Sequence, residues 1–482
     1  MSKPSAAPPL SKRTQEALKR GAESPLSTAL FKTFGNQWTE DNPDGVVNAG
    51  LAENSLMHEW LQEFWSRTGV MKLEHEDLTY GKSILGSDRL FSALSSHYSR
   101  HFSPLVPVEP SHIATSNGMS SMIEHLATVI SDAGDGWLLP TPWYNGFKGD
   151  LEATARVKIV SVEIEMGKEG ELEEVEALDR EMQRRKDEGV EQKITAVLVT
   201  NPHNPLGFCY KPETLIEYAR FAEKWGIYLV CDEIYALSVF PNDSPSSRPF
   251  TSILSLDVLS SADCSPSRII ELYGLSKDFG ANGLRGANLV SQNSSSILSG
   301  LSTTAMMMRI GSPTDILWSA LLNSDELGYY VEENQRRLGK GYAFLTKWLK
   351  GQGIPFREAN AGHFLLADFS KVVEKVVADG KKEAEAITTE QEVELLNRLV
   401  DGGVYLGPGA LLTLTRHSRV VNQSADTLLA RAGFSYAVTR PGYFRMTFSI
   451  RPRELVLALT RIERVCELDE LVVKMAEGSQ FA

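Results

Sequence analysis

Residues 268–293 read RIIELYGLSKDFGANGLRGANLVSQN, two β-rich runs on either side of a segment that carries Lys277 among small residues. Working back toward the N-terminus, similar runs recur: IYLVCDEIY, then ITAVLVTN, VKIVSVEI, GWLLPTP and HIATSN. Helical stretches separate them, among them SSMIEHLATVISDA, ELEEVEALDREMQRRKDEG and PETLIEYARFAEKW. Short apolar runs spaced by helices predict a mostly parallel sheet covered on both faces, hence an α/β fold. Ligands of such sheets bind at the carboxyl ends of the strands, which is where the polar motifs below fall.

A chain of 482 residues exceeds one ordinary domain, so two packed lobes are expected. The expected division is an N-terminal arm with part of a smaller domain over 1–70, a large domain over 71–340, and the smaller α+β domain over 341–482. Residues 1–25, rich in Pro, Ser and Ala, read as a loose arm. A long helical region spans roughly 313–350, and ELVLALTRIERVCELDELVVKMA reads as a final helix. The Ser/Thr/Arg-rich stretch at about 410–440 reads as an inserted loop. The charge-dense run GELEEVEALDREMQRRKDEGVEQK reads as a solvated helix face without chemistry.

The net charge of −13 argues against a nucleic-acid or anionic-membrane surface, since both need a basic face. The four cysteines, Cys209, Cys231, Cys264 and Cys466, form no C-x-x-C pair. They fit free thiols in a reducing compartment better than a disulfide frame, and no metal site is expected. The basic N-terminus lacks an apolar core, so it does not read as a secretory signal. No apolar run reaches the roughly 18 residues of a membrane span. The expected setting is the cytoplasm.

Two further stretches give Lys277 its meaning. In YLVCDEIYA, residues 228–236, Asp232 ends a strand that should be buried on both faces. A carboxylate there costs several kcal/mol unless a cation or good hydrogen bonds meet it, and a protonated pyridine nitrogen is such a cation. In VTNPHNPLG, residues 199–207, another strand runs into a Pro-rich turn carrying Asn201 and Asn204.

Taken in order, NPxNPxG, DEIY and SKxxGxxGxRxG make the chain resemble a fold-type I pyridoxal-5′-phosphate (PLP) enzyme of the class I/II aminotransferase superfamily. It is most similar to 1-aminocyclopropane-1-carboxylate (ACC) synthases and their fungal relatives, from GLAEN at 50–54 to Phe444-Arg445. The resemblance implies a large domain with a seven-stranded type of sheet, a smaller α+β domain, PLP as cofactor and an L-α-amino acid as substrate. It also implies a homodimer.

Residue by residue, it implies that Lys277 holds PLP as a Schiff base and then moves the Cα proton. Asp232 pairs with the pyridinium nitrogen, while Asn204 and Tyr235 hydrogen-bond the phenolic oxygen. Asn204 is preferred to Asn201, which reads as a turn residue. Tyr144 stacks on the ring, and its neighbour Trp143 packs. Met119 and Ser120 supply amides and a hydroxyl to the phosphate, and Ser276 and Arg285 complete that clamp. Arg445 matches the arginine that grips the substrate carboxylate. Tyr80 is the candidate to reach a partner's phosphate; without a short alignment gap, Ile84 would fall at that position. Gly274 departs from the family pattern, standing where plant members carry a second phosphate-binding serine.

The reaction is left between alternatives. Glu53 in GLAENSL matches a glutamate that lies near the substrate side chain in ACC synthases, where it could stabilise a sulfonium. That favours a lyase that eliminates or cyclises a sulfur-bearing side chain. An aminotransferase is the alternative, and PLP-dependent γ-replacement a second. The region around Tyr80 does not read DYHG, and the 410–440 insertion separates Gly407–Ala410 from Arg445, both departures from plain ACC synthesis. A non-catalytic PLP-fold module would need a fused DNA-binding segment, and 1–50 shows no helix-turn-helix pattern. A pseudoenzyme would be expected to lose Lys277 or Asp232.

Overall fold

The computed structural model describes residues 9–67, 69–242, 244, 247–377, 387–409 and 436–477. After a short strand β1 (Val47–Asn48) come the seven strands expected from the sequence: β2 (Ile113–Ser116), β3 (Gly136–Pro140), β4 (Lys158–Val162), β5 (Ile194–Thr200), β6 (Tyr228–Asp232), β7 (Ile269–Gly274) and β8 (Ala287–Val290). They form one sheet in the order β2-β8-β7-β6-β5-β3-β4. Only β8 runs against its neighbours. The other pairs are parallel.

Alternation within the apolar runs divides the sheet between two cores. Leu138, Val197, Val199, Leu229 and Cys231 face one helical layer. Trp137, Leu139, Ala196, Leu198 and Val230 face the other. Both sides being buried is why these strands read as unbroken hydrophobic text. A second sheet, β11 (Gly407–Pro408), β12 (Tyr443–Thr447) and β9 (Phe364–Asp368), is antiparallel and belongs to a separate core, while β1 pairs with β10 (Val404–Tyr405). The 25-residue helix Leu327–Gly351 serves both cores, with Leu327 and Tyr330 in the first and Leu338 to Leu349 in the second. Helix His58–Ser66, within the 1–70 segment, packs Leu61 and Phe64 into the first core.

Several local readings need correction. Within the supposed loose arm, Lys12–Glu23 is a helix, because Ser11 caps it by accepting from the Thr14 amide. The final helix is two, Pro452–Val465 and Val472–Glu477. The charged run is indeed a helix, Leu172–Asp187, but Glu174 on it is buried. There it accepts hydrogen bonds from Tyr210, Tyr218 and the Gly170 amide, and burial pushes its carboxyl up to about 7. Of the 410–440 insertion, residues 410–435 lie outside the described residues. Among the described residues no helix is long and apolar enough to cross a membrane.

Candidate active site

The carboxyl ends of β2, β3, β5, β6 and β7 lie at the same end of the sheet, and the segments that follow them each deliver a polar side chain. Beyond β7, Lys277 is half-buried and its Nζ donates to the Ala52 carbonyl at 2.8 Å. Burial and the cation of Arg445 pull its amine down to about 8, against the pull of Glu53 and Asp232. A lysine held near neutrality is a nucleophile and a base, as general acid–base work demands.

Asp232 ends β6 with 4% exposure. Its Oδ1 accepts only the Ile234 amide, at 3.3 Å, and among the described residues no cation pairs with it. Burial therefore pushes the carboxyl up to about 7. The site holds a carboxylate that lacks its counter-charge, which is the condition a pyridinium nitrogen would relieve.

Asn201 and Asn204 diverge in the turn after β5. The Asn201 amide is used locally, donating to Thr251 and accepting from the Tyr210 amide. Asn204 instead accepts from Arg445 Nη1 at 2.9 Å. Arg445, on β12, is 1% exposed, and its Nη2 donates to the Gly50 carbonyl at 2.6 Å. Its guanidinium lies between the rings of Phe364 and Tyr436, at 4.5 and 4.4 Å. Nε has no partner, and among the described residues no carboxylate pairs with this buried cation. A buried, flat, unneutralised fork suits a carboxylate ligand.

The helix Met119–Ile130 begins with Gly118 at φ 118° and has no side-chain cap, leaving its first amides open. A Cβ on Gly118 would stand 2.2 Å from Arg285 Nη2, so only glycine lets that guanidinium lie over the helix start. Ser276 is buried, and its hydroxyl has no partner among the described residues. Tyr144 sits over Gly146, where a Cβ would meet its ring at 2.4 Å, and edge-on to Phe147. Trp143 packs, donating to Ser161 Oγ at 3.1 Å. At Gly274 a Cβ would come within 2.9 Å of the Gly286 carbonyl, so a serine there would collide with backbone.

A family model described as aminotransferase class I and II matches residues 47–432. The chain belongs to this family. Among relatives of this class I/II aminotransferase-family chain is the bovine 1-aminocyclopropane-1-carboxylate synthase-like protein 1, 28% identical over 451 residues, covering 91% of this chain and 80% of that protein. The probable aminotransferase aclI of Aspergillus oryzae is 28% identical over 423 residues, covering 87% and 90%. In fold, a double mutant of Thermus thermophilus aspartate aminotransferase superposes with a TM-score of 0.65 at 19% identity, covering 95% of this chain and all of that one. The family is PLP-dependent, and this chain is a PLP-dependent enzyme. The residues present fit the cofactor: an amine near neutrality, a buried acid without a cation, open helix amides beneath an arginine, and an aromatic lid.

Not every expected residue of this aminotransferase-family chain meets the others. Tyr235 is buried with its ring edge-on to Phe364, and Met119 packs beside it. Glu53 lies close enough to act on Lys277, and its Oε1 accepts from Asn282 at 3.1 Å. Tyr80 does not join them: it is 71% exposed, with its carbonyl held by Arg309. Three residues escaped the sequence reading. Tyr436, just beyond the undescribed part of the insertion, covers Arg445 and accepts from the Trp143 amide at 3.0 Å. Asp150, near Ser120 and Arg285, has its carboxyl pushed up to about 6 by burial. His363 lies behind Tyr235, at a ring distance of 5.1 Å.

Proposed function

We propose that this enzyme is a PLP-dependent lyase of ACC-synthase-like type, acting on an L-α-amino acid whose side chain carries a cationic or sulfur-bearing leaving group. The observation that carries the reading is the placement of Glu53, a carboxylate held by Asn282 within electrostatic reach of Lys277. An acidic side chain would be repelled there, whereas a sulfonium or polarised thioether would be stabilised. Bound PLP supplies the electron sink for Cα chemistry.

In this reading Arg445 orients the substrate through its carboxylate, and Lys277 takes the proton from Cα. Asp232 would pair with the ring nitrogen of the cofactor, Asn204 and Tyr235 would hydrogen-bond its phenolic oxygen, and Tyr144 would stack on its ring. The Met119 and Ser120 amides, Ser276 and Arg285 would hold the phosphate. We also propose a homodimer in which Tyr80 reaches the neighbouring site. Its exposed ring, with exposed Leu73, Leu78 and Met307, supports a protein-covered surface. An active monomer in light scattering would contradict this.

The test of the reaction is product identity. The cofactor-loaded protein is offered a panel of L-amino acids, including S-adenosylmethionine and thioethers, with and without a 2-oxo acid. Mass spectrometry should show side-chain loss or cyclisation that does not require the 2-oxo acid. Amino transfer that depends on the 2-oxo acid, without side-chain loss, would replace the lyase reading by the aminotransferase one.

A further inference from the structure

Arg445 is a buried cation whose hydrogen-bond partners are the neutral oxygens of Asn204 and Gly50. Such a charge is costly without compensation. The faces of aromatic rings attract a cation without neutralising it, and the attraction grows as water is excluded. Phe364 and Tyr436 supply two such faces, with ring centroids 4.5 and 4.4 Å from the guanidinium carbon. A carboxylate in either place would compete with an anionic ligand, whereas a ring leaves the edge of the fork free.

The two rings are delivered in different ways. Phe364 lies on β9, which pairs with the strand that carries Arg445, so the sheet itself places it. Tyr436 is 1% exposed but lies in no strand or helix, and separate contacts seat it. Its carbonyl accepts from the Trp143 amide at 3.0 Å. The next residue, Ala437, takes a left-handed φ of 54°, which a residue with a Cβ keeps only where its surroundings hold it. The Val438 amide then donates to the Gly409 carbonyl at 3.1 Å. Gly407 leaves the ring its room, since a Cβ there would stand 3.0 Å from Tyr436 Cε2. Leu206, Leu366 and Val438 pack around Tyr436, and Tyr144 packs against the same group. The residue that covers Arg445 is thus bonded to the segment that presents Tyr144.

We propose that Tyr436 is a specificity-determining positioning residue: its ring holds the Arg445 guanidinium flat and without a counter-charge, so that the site selects ligands bearing an α-carboxylate. The inference rests on the reading of Arg445 as the carboxylate group, not on which reaction follows. It assigns the effect to the ring face, so a phenylalanine should serve in its place.

The PLP-loaded full chain is titrated with L-methionine and with the amine that differs from it only in lacking the carboxylate. Binding is followed by the visible absorption of the cofactor, and the ratio of the two affinities reads the carboxylate contact. Tyr436→Leu should lower that ratio by about threefold to tenfold, within the range of a desolvated cation–π contact, and leave the affinity for the amine close to that of the parent. Tyr436→Phe should keep the parental ratio. A structural role alone would weaken both ligands together. An unchanged ratio in Tyr436→Leu, equal losses for the two ligands, or a Tyr436→Phe that falls as far as Tyr436→Leu overturns the proposal. Should Tyr436→Leu fail to fold, Tyr436→Met, which also lacks a ring, carries the same expectation. Arg445→Lys is measured alongside. A ratio lowered by Arg445→Lys but not by Tyr436→Leu removes Tyr436 alone. A parent with no preference for the amino acid, or a ratio that Arg445→Lys leaves unmoved, contradicts the reading of Arg445 and the proposal with it.

Discussion

Arg445 donates to Asn204 Oδ1 at 2.9 Å across 241 residues of sequence, joining the strand of the second sheet to the turn after β5. The contact ties the group that would read the substrate carboxylate to one that would read the cofactor ring. Arg445→Lys keeps the charge but loses the fork, the Asn204 contact and the stacking between Phe364 and Tyr436. We expect kcat/KM to fall by about 1.5–3 kcal/mol, roughly one to two orders of magnitude, and by a similar factor for every α-amino acid accepted. A loss confined to one side chain would remove Arg445 from the carboxylate.

Asp232 yields a pH-dependent stability prediction. Its carboxyl titrates near 7 in the cofactor-free fold, above the ordinary 3.8. A raised acid favours the fold below about 4, and that advantage is lost as pH rises through about 7. Asp232→Asn should therefore raise the Tm of the cofactor-free protein most at pH 8 and clearly less at pH 5. It should also cripple turnover of the loaded protein while leaving its fold intact. Thermal scans at the two pH values check this, and near-normal turnover would make Asp232 a structural acid.

Glu53→Gln separates the reactions. If the carboxylate stabilises a departing group, elimination should fall by about tenfold or more while exchange of the α-proton with solvent survives. Transamination, where measurable, should barely change. Following exchange, elimination and amino transfer side by side tests this, and equal loss of all three would return Glu53 to a structural role.

Asp150 lies near Ser120 and Arg285, at the expected phosphate seat. Above about pH 6 it is ionised and opposes a phosphate dianion. Asp150→Asn should tighten PLP binding by about threefold or more at pH 8 and by little at pH 5.5. Fluorescence titration with PLP measures this, and equal gains at both pH values would exclude the charge as the cause.

The central strands other than the half-exposed edge strand β4 were legible because both their faces are buried, which writes them as largely apolar runs. Asp232 was legible because a carboxylate ending such a run is costly unless something pairs with it. Helix Lys12–Glu23 was not, since its composition suggests a loose tail and its start depends on the single cap of Ser11. Glu174 was hidden in a run of charges, and only the tyrosines of another helix, Pro212–Trp225, and its approach reveal its burial. Asp150 and His363 sit in ordinary local sequence. What marks them is a meeting of distant segments, Ser120 with Asp150 and Ser238 with His363, that no periodicity records.

The central claim is that Lys277 is the residue that carries PLP. Borohydride reduction of the PLP-saturated protein followed by peptide mapping tests it most directly. The pyridoxyl adduct should fall on Lys277, in the peptide containing Leu275-Ser276-Lys277-Asp278, and disappear in Lys277→Ala. An adduct on another lysine, or none in a saturated sample, would contradict the account.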